Sequence, residues 1–421
     1  ISRDARWGRV MEGAGEDPYL ASKIAYARVK GFQGEDLSKS NTIAACAKHF
    51  SAYGLVESGK EYNTVDVGTT TLHNIIHPPF QSAINADVKT FMSAFNVLNG
   101  IPATGNPYLH RELLKANWNF EGFVVSDWSS VSEMVDHGFA DSDKMAAMIA
   151  VKAGNDMDME SYSYINHLPD LVREGKVEEA LIDDAVRRIL KLKFALGLFE
   201  DPYKYCSLPR ETETIYNPKF KEDLLNLARK SIVLLQNDRN LLPIKPSSSA
   251  KQKIAVIGDL VDDKTSPLGS WRLASDDNTA VSLAEALVTY EKQFDFSFHK
   301  GVQLVDGKAT FTKNTNINTV DKSDFKDAIK AAKQSDLVIM MLGEHGFQSG
   351  EGRSKTNLNL PGLQQELLKE VYLVNPNIIL VLQNGRPLTL SWEQEHIPAI
   401  VEAWQLGTFS GEAIADVLFG K

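Results

Sequence analysis

Short apolar runs alternate with helical segments along this chain, and that alternation constrains the fold more than any other feature of the sequence. A crossover helix returns the chain to the same end of a sheet, so strands that alternate with helices form parallel sheets. In the first half, Val177 to Leu196 is the clearest helix, and the runs with the length and apolar character of strands lie at 43–47, 90–95, 122–127 and 155–159. We predict an α/β fold that begins with a (β/α)8 TIM-like barrel. About four strands are visible where closure needs eight, so we expect residues outside this sequence to complete the barrel.

The second half repeats the alternation with stronger apolar runs, which predicts an open, mainly parallel α/β sandwich. Its strands are expected at 254–258, 294–298, 337–343, 378–382 and 397–402, with helices between them. A polar, proline-containing stretch separates the halves. We therefore predict three parts: residues 1–203 form the C-terminal part of the catalytic barrel, 204–218 a linker, and 219–421 the sandwich domain. Gly258 follows a strand, but no glycine-rich phosphate-binding pattern surrounds it, so a nucleotide site is not expected.

Charge and composition exclude several classes of partner. The formal net charge of −10 argues against nucleic acid, and no apolar run is long enough to span a bilayer. The two cysteines, Cys46 and Cys206, form neither a disulfide framework nor a metal site. Cys46 lies in an apolar run, so a buried free thiol is expected there. We expect no metal and no cofactor.

The run that ends in Asp127 and Trp128 carries the first candidate for chemistry. A carboxylate at the end of a buried strand needs a reason, because burying an unpaired charge is unfavourable. Asp127 can be a helix cap, or it can be a catalytic carboxylate, because active sites of parallel barrels lie at these strand ends. Lys48 and His49 end another strand. Cations, a carboxylate and an indole on one face suit a polyhydroxylated substrate.

A glycine-rich loop after the strongest strand of the second half carries the other candidate. It runs from Gly343 to Arg353 and contains two acids, of which Glu351 stands between glycines. The loop is either a solvated surface segment or the holder of a general acid that reaches across a domain interface.

Several motifs, in matching order along the whole chain, resemble glycoside hydrolase family 3, and the closest subgroup resembles bacterial periplasmic β-glucosidases. They are Arg6-Trp7-Gly8-Arg9, Lys48-His49-Phe50, Ser126-Asp127-Trp128, Ser349-Gly350-Glu351-Gly352-Arg353 and Asn384-Gly385-Arg386-Pro387.

The resemblance implies a role for each candidate. Asp127 matches the catalytic nucleophile and Glu351 the general acid/base. Residues implied to bind the sugar are Arg9, Lys48, His49, Trp128 and, more weakly, Trp271. Phe95 stands where many members carry a tyrosine, so a hydroxyl contact is expected to be lost. The family's aspartate for the outer hydroxyls of the sugar is not among these residues. The loop after Lys48-His49-Phe50 lacks the histidine of the N-acetylglucosaminidases, which favours Glu351.

These implications predict a retaining, exo-acting β-glucosidase that forms a covalent glycosyl-enzyme. The expected substrates are β-linked gluco-oligosaccharides or aryl and alkyl β-glucosides. The resemblance also implies a periplasmic or secreted location, with no nucleic-acid or membrane partner, and leaves a homodimer open. Two alternatives remain: a β-xylosidase or mixed β-glycosidase, and a non-catalytic sugar-binding fragment.

Overall fold

The computed structural model describes residues 1–247, 250–273 and 275–421. The chain separates into two compact units. The first contains residues 1–7 and 12–211. The second contains residues 212–421 together with the short segment Gly8–Met11, whose neighbours in sequence belong to the first unit.

The first unit is built from a short parallel sheet with helices between its strands. Its strands are β1 (Cys46–Phe50), β2 (Thr64–Val65), β3 (Thr90–Ser93), β4 (Val97–Leu98), β5 (Ile101–Pro102) and β6 (Phe123–Val125). Strands β1, β3 and β6 form the parallel sheet in that order, and β2, β4 and β5 form a small second sheet. The carboxyl ends of β1 and β6 therefore lie at the same edge, where Lys48-His49 and Asp127 were expected to meet.

Helices connect these strands and follow them. They are α1 (Pro18–Gln33), α2 (Thr69–Thr71), α3 (Pro78–Asn85), α4 (Glu133–Asp136), α5 (Asp143–Ala153), α6 (Ser163–Arg173), α7 (Glu179–Ala195) and α8 (Leu208–Thr214), with π-helical segments at Leu72–Ile76 and Tyr108–Asn117. The start of α1 is fixed by Asp17, whose carboxylate accepts hydrogen bonds from the backbone N–H groups of Tyr19 and Leu20. Pro18 at the first helical position has no N–H that would need a partner.

Three details of the first unit differ from the sequence-based expectation. The strand expected at 43–47 is observed at Cys46–Phe50, and Cys46 is exposed rather than buried. The reason is that β1 lies at the edge of the described sheet, with β3 on one side. The segment at 155–159 is not a strand, because Met157 makes a single bridge to Val125.

The second unit is a six-stranded sheet with helices on both faces. Its strands are β7 (Val233–Asn237), β8 (Gln252–Ile257), β9 (Phe294–His299), β10 (Leu337–Gly343), β11 (Ile378–Gln383) and β12 (Ala399–Glu402). Its helices are α9 (Lys219–Ser231), α10 (Leu283–Leu287), α11 (Phe325–Lys333), α12 (Gln364–Val374), α13 (Ser391–His396) and α14 (Ser410–Leu418). The strand order is β7-β12-β11-β10-β8-β9, and within the described part of this sheet only β7 pairs antiparallel.

Side chains of the central strands alternate between two hydrophobic cores, which explains why these runs are apolar throughout. In β10, Leu337, Ile339 and Met341 belong to one core, whereas Val338 and Met340 belong to the other. Successive side chains of a strand point to opposite faces, so a sheet covered on both sides has no polar face. The predicted class, a TIM-like barrel part followed by an α/β sandwich, is confirmed.

Candidate active site

Asp127 lies just beyond the carboxyl end of β6, and its carboxylate is held by the structure around it. Its Oδ1 accepts a hydrogen bond from the backbone N–H of Trp128 at 2.8 Å, and its Oδ2 lies 3.4 Å from Nε2 of His49. The residue is 7% exposed. A buried carboxylate is stable when hydrogen bonds and an opposite charge replace water, and this environment supplies both when His49 is protonated.

The strand end that presents Asp127 is fastened to the segment after α5. The backbone N–H of Ser126 donates to the carbonyl oxygen of Met157 at 2.8 Å, and the Ser126 hydroxyl accepts from the backbone N–H of Met159 at 2.8 Å. Because Ser126 is bonded through its backbone and through its side chain, the backbone just before Asp127 is held in place.

Several aromatic side chains pack next to His49, the residue that contacts the Asp127 carboxylate. The ring of Tyr53 lies 5.6 Å from that of His49 and 5.9 Å from that of Phe95, and Phe95 also packs edge-on against Tyr62 at 4.9 Å. Tyr53 further contacts the indole of Trp7, whose Nε1 donates to Glu61. Edge-to-face packing of this kind fixes ring orientations.

Trp128 and Lys48 occupy more open positions. Trp128 is 61% exposed, so a large part of its indole surface remains accessible to solvent. The Lys48 side chain is exposed as well, one residue before His49 in β1. Of the candidates in the first unit, the structure brings together Asp127, His49 and the Trp128 backbone, while Phe95 joins them through Tyr53.

The remaining three candidates form a second group, within the second unit. Nη1 of Arg9 lies 3.4 Å from Oε1 of Glu351, and the Arg9 guanidinium lies 5.6 Å from the centre of the Trp271 ring. Arg9 is 2% exposed at its side chain and Glu351 is 23% exposed. Arg9, which the resemblance implies to bind the sugar, is paired here with the candidate acid Glu351.

The loop that carries Glu351 is fixed on both sides of the acid. The backbone N–H of Gly350 donates to the carbonyl oxygen of Gly8 at 2.6 Å. Arg353 donates to the carbonyl oxygens of Phe347 at 3.1 Å and Lys313 at 3.0 Å. The close approach of Gly8 to Gly350 requires glycine, because a Cβ atom on Gly8 would lie 2.1 Å from the carbonyl oxygen of Gly350.

The loop's other acid, Glu344, has a different environment from Glu351. It is fully buried, and its Oε1 lies 2.8 Å from Nζ of Lys355 and 3.3 Å from Nε of Arg386. A carboxylate enclosed by two cations and sealed from solvent is suited to holding structure. Of the two acids, Glu351 is the one that a substrate can approach.

A further buried acid, Glu402, ends β12 in the same unit. The pKa of Glu402 is raised to about 7, chiefly by burial and to a smaller extent by the negative charge of Glu344. Hydrogen bonds from the Trp404 N–H and the Asn384 amide oppose that rise. Among the described residues no group of His, Cys, Asp and Glu side chains is arranged to hold a metal ion.

Sequence reasoning named the candidate acids but not the residues that support them. Tyr53, Glu61 and Tyr62 lie in two further segments that resemble the family, Ala52–Gly54 and Gly59–Asp66, but the resemblance attached no role to them. Arg386 stands in another such motif, and its contacts with the loop could not be seen from spacing. None of the helices in the described ranges is long and apolar enough to cross a membrane.

Known proteins and family models match this chain along almost its whole length. The sequence model of the glycosyl hydrolase family 3 N-terminal domain matches residues 1–192, and that of its C-terminal domain matches residues 232–421. A periplasmic β-glucosidase of Salmonella typhimurium is 38% identical over 100% of this chain and 56% of its own length. A β-xylosidase of Formosa agariphila is 34% identical, over 99% of this chain and 58% of its own.

Solved structures of β-glucosidases also match this chain over its full length. The crystal structure of a β-glucosidase from Listeria innocua in complex with isofagomine matches with a TM-score of 0.90 at 36% identity, over 100% of this chain and 56% of that one. A mutant of that enzyme in complex with laminaribiose matches with a TM-score of 0.89 at 36% identity, over 100% and 55%. The chain thus spans little more than half the length of these relatives.

Proposed function

We propose that this chain, which belongs to glycosyl hydrolase family 3, is the catalytic part of a retaining, exo-acting β-glucosidase. The substrates would be terminal, non-reducing β-D-glucosyl residues of gluco-oligosaccharides, or aryl and alkyl β-glucosides. The observation that carries the proposal is the pair of candidate carboxylates, Asp127 beside His49 and Glu351 beside Arg9. The β-glucosidase of Salmonella and the laminaribiose complex of the Listeria enzyme support the substrate class.

In the proposed reaction, Asp127 attacks the anomeric carbon and Glu351 protonates the leaving oxygen. A covalent glycosyl-enzyme forms on Asp127, and Glu351 then accepts a proton from the water that hydrolyses it. This retaining route requires the two carboxyl groups to stand about 5–5.5 Å apart when the sugar is bound. The Trp128 N–H donates to Oδ1 of Asp127 and so fixes the orientation of this carboxylate.

The other candidates would bind the sugar. Arg9, Lys48 and His49 carry the donors that hydroxyl groups accept from, and the exposed indole of Trp128 offers a surface for the apolar face of a pyranose ring. Trp271 would extend that surface near Glu351. Phe95 supports the ring of Tyr53 and has no hydroxyl of its own to offer.

A β-xylosidase is the second candidate, because the Formosa relative with that name matches 99% of this chain. Glucose and xylose differ at C5, where glucose carries a hydroxymethyl group. Rates on 4-nitrophenyl β-D-glucoside and β-D-xyloside, measured side by side with the full-length protein, separate the two. A higher kcat/KM on the xyloside would replace the glucosidase assignment.

A periplasmic location belongs to this proposal as well, since the Salmonella relative is periplasmic by name. Fractionation of the native host, followed by detection of the protein and of a cytoplasmic marker, tests it. Recovery with the cytoplasmic marker would contradict it.

The nucleophile is tested by trapping. Incubation with a 2-deoxy-2-fluoro β-glucoside that has a good leaving group should add one sugar to the peptide that contains Asp127, detected by mass spectrometry. Asp127→Ala should lose turnover and labelling while keeping its unfolding temperature. Asp136→Asn, at an exposed carboxylate of α4, is the matched control and should label normally. Sugar binding without labelling or turnover would instead favour a non-catalytic sugar-binding protein.

The acid is tested by leaving-group dependence. Glu351→Ala should lower kcat/KM for alkyl glucosides by roughly 10²–10⁴-fold, because general acid catalysis contributes about that much. For 2,4-dinitrophenyl glucoside, whose leaving group needs little protonation, kcat/KM should change far less. Equal losses on both substrates would remove Glu351 from the acid role.

A further inference from the structure

Arg386 holds both ends of the segment that carries Glu351. Its guanidinium Nη2 donates to the carbonyl oxygen of Gln348 at 2.7 Å and to that of Arg353 at 2.7 Å. These two carbonyls stand three residues before and two residues after Glu351. One cation therefore fixes the entry and the exit of the loop, at distances typical of strong charge-assisted hydrogen bonds.

The guanidinium is itself held in place by burial and by Glu344. Arg386 is 0% exposed and heads the fully buried side chains by volume. Its Nε lies 3.3 Å from Oε1 of Glu344, which Lys355 contacts at 2.8 Å. A buried cation is stable when a carboxylate and carbonyl oxygens replace its water. With these partners the planar group has a defined position and orientation.

The turn that presents Arg386 is also fixed. The Asn384 amide nitrogen donates to the carbonyl oxygen of Arg386 at 2.8 Å and to Oε2 of Glu402 at 3.1 Å. Asn384 is 0% exposed. The carboxyl ends of β10, β11 and β12 thus supply Glu344, Asn384 and Glu402, which together set the position of one arginine.

We propose that Arg386, oriented by Glu344, is the positioning residue that sets where the Glu351 carboxyl stands. It touches no substrate in this role and acts through the backbone on either side of Glu351. The inference rests on the proposed acid function of Glu351. A residue that merely stabilises the fold would affect all substrates equally, whereas one that positions the acid affects the protonation of the leaving group most.

The test uses Arg386→Lys in the full-length protein, because lysine keeps the charge but cannot offer the planar, multi-donor geometry of arginine. We expect kcat/KM for an alkyl β-glucoside to fall by roughly 10–100-fold, since a misplacement of about 1 Å can cost 10²-fold. For 2,4-dinitrophenyl β-glucoside the fall should stay within about threefold, as the leaving group needs little acid assistance.

Glu344→Gln should reproduce this pattern, because it removes the charge that orients the guanidinium. The matched control is Arg229→Lys, which alters another ion pair of the second unit, between Arg229 and Asp416. This control should leave the ratio of the two kcat/KM values unchanged. An Arg386→Lys enzyme that loses both substrates equally would overturn the proposal.

Hydrogen–deuterium exchange separates this inference from the proposed function. In Arg386→Lys, peptides that cover residues 348–353 should exchange faster, whereas peptides of β10 and β11 should keep wild-type protection. Unchanged exchange at 348–353, or faster exchange through the whole sheet, would refute the positioning role even if the enzyme were inactive on β-glucosides. If the wild-type protein cleaves no β-glucoside, and Arg386→Lys still exchanges faster than wild type at residues 348–353 only, then the proposed function alone is refuted.

Discussion

Gly385 allows the most direct test of how closely the loop of Glu351 is packed. A Cβ atom added at this position would lie 2.0 Å from the Ser349 Oγ and 2.7 Å from the Ser349 Cβ. Ordinary contacts of a Cβ begin at 3.4 Å. The hydroxyl can rotate away, but the Ser349 Cβ can retreat only if its backbone moves, by about 0.7 Å (3.4 less 2.7). Glu351 lies two residues further along.

The expected magnitude for Gly385→Ala follows from that displacement. Overpacking of a closely packed interior costs about 1–3 kcal/mol of stability, because Ser349 is fully buried. A shift of this size at the acid should lower kcat/KM on an alkyl glucoside by roughly 10-fold to 10²-fold. Gly31→Ala is the matched control, because an added Cβ there meets nothing within 4 Å.

The assay combines thermal unfolding with kcat/KM on an alkyl and a dinitrophenyl glucoside. The steric cause is tested by adding Ser349→Gly to Gly385→Ala, since this removes the two Ser349 atoms under 3.0 Å from the new methyl group and leaves Gln405 Nε2 at 3.1 Å. We expect the double variant to regain most of the lost activity on the alkyl glucoside. If Gly385→Ala is as active as wild type, or if the double variant regains nothing, then steric displacement of the loop is not the controlling effect.

Three further outcomes concern buried charged and titratable groups. Burial raises the pKa of Glu402 in the folded protein to about 7, so the native state holds this proton more firmly than the unfolded chain does. The free energy of unfolding should therefore fall by a few kcal/mol between pH 4.5 and 7. In Glu402→Gln, the free energy of unfolding measured with urea should change less over that pH range. Neither ring nitrogen of buried His110 finds a hydrogen-bond partner in the described chain, so His110→Leu should raise the unfolding temperature. Lys115→Met should cost about 3–5 kcal/mol by calorimetry, because Asp156 would remain buried without its 2.6 Å partner.

The sequence was informative where local pattern and tertiary role agree. The apolar runs of β10 and β11 are buried on both faces of the sheet, so composition alone identifies them as strands. Val233–Asn237 follows α9 after a single residue, so the sequence alone does not separate it from that helix. Its pairing with β12, more than 160 residues later, is what makes it a strand.

In the candidate site, too, some residues could be predicted from the sequence and others could not. Asp127 could be located because a carboxylate at the end of an apolar strand is unusual in itself. The pairing of Arg9 with Glu351 depends on where a distant loop folds. The same holds for Arg386, whose partners lie 33 to 42 residues away in sequence. Spacing along a chain does not reveal such contacts, so sequence analysis named the candidate acids and missed the residues that hold them.

If Arg386 acts only by placing Glu351, the two substitutions cannot be additive. In an enzyme that already carries Glu351→Ala there is no acid left to misplace, so adding Arg386→Lys should cost nothing further in kcat/KM on the alkyl glucoside. The coupling should then equal the whole effect of Arg386→Lys alone, about 1.4–2.7 kcal/mol for a 10- to 100-fold loss. A second full loss in the double variant would mean that Arg386 contributes by a route independent of Glu351. An additive loss in stability would not count against the argument, because the buried arginine also holds the fold, and stability is measured separately by urea unfolding.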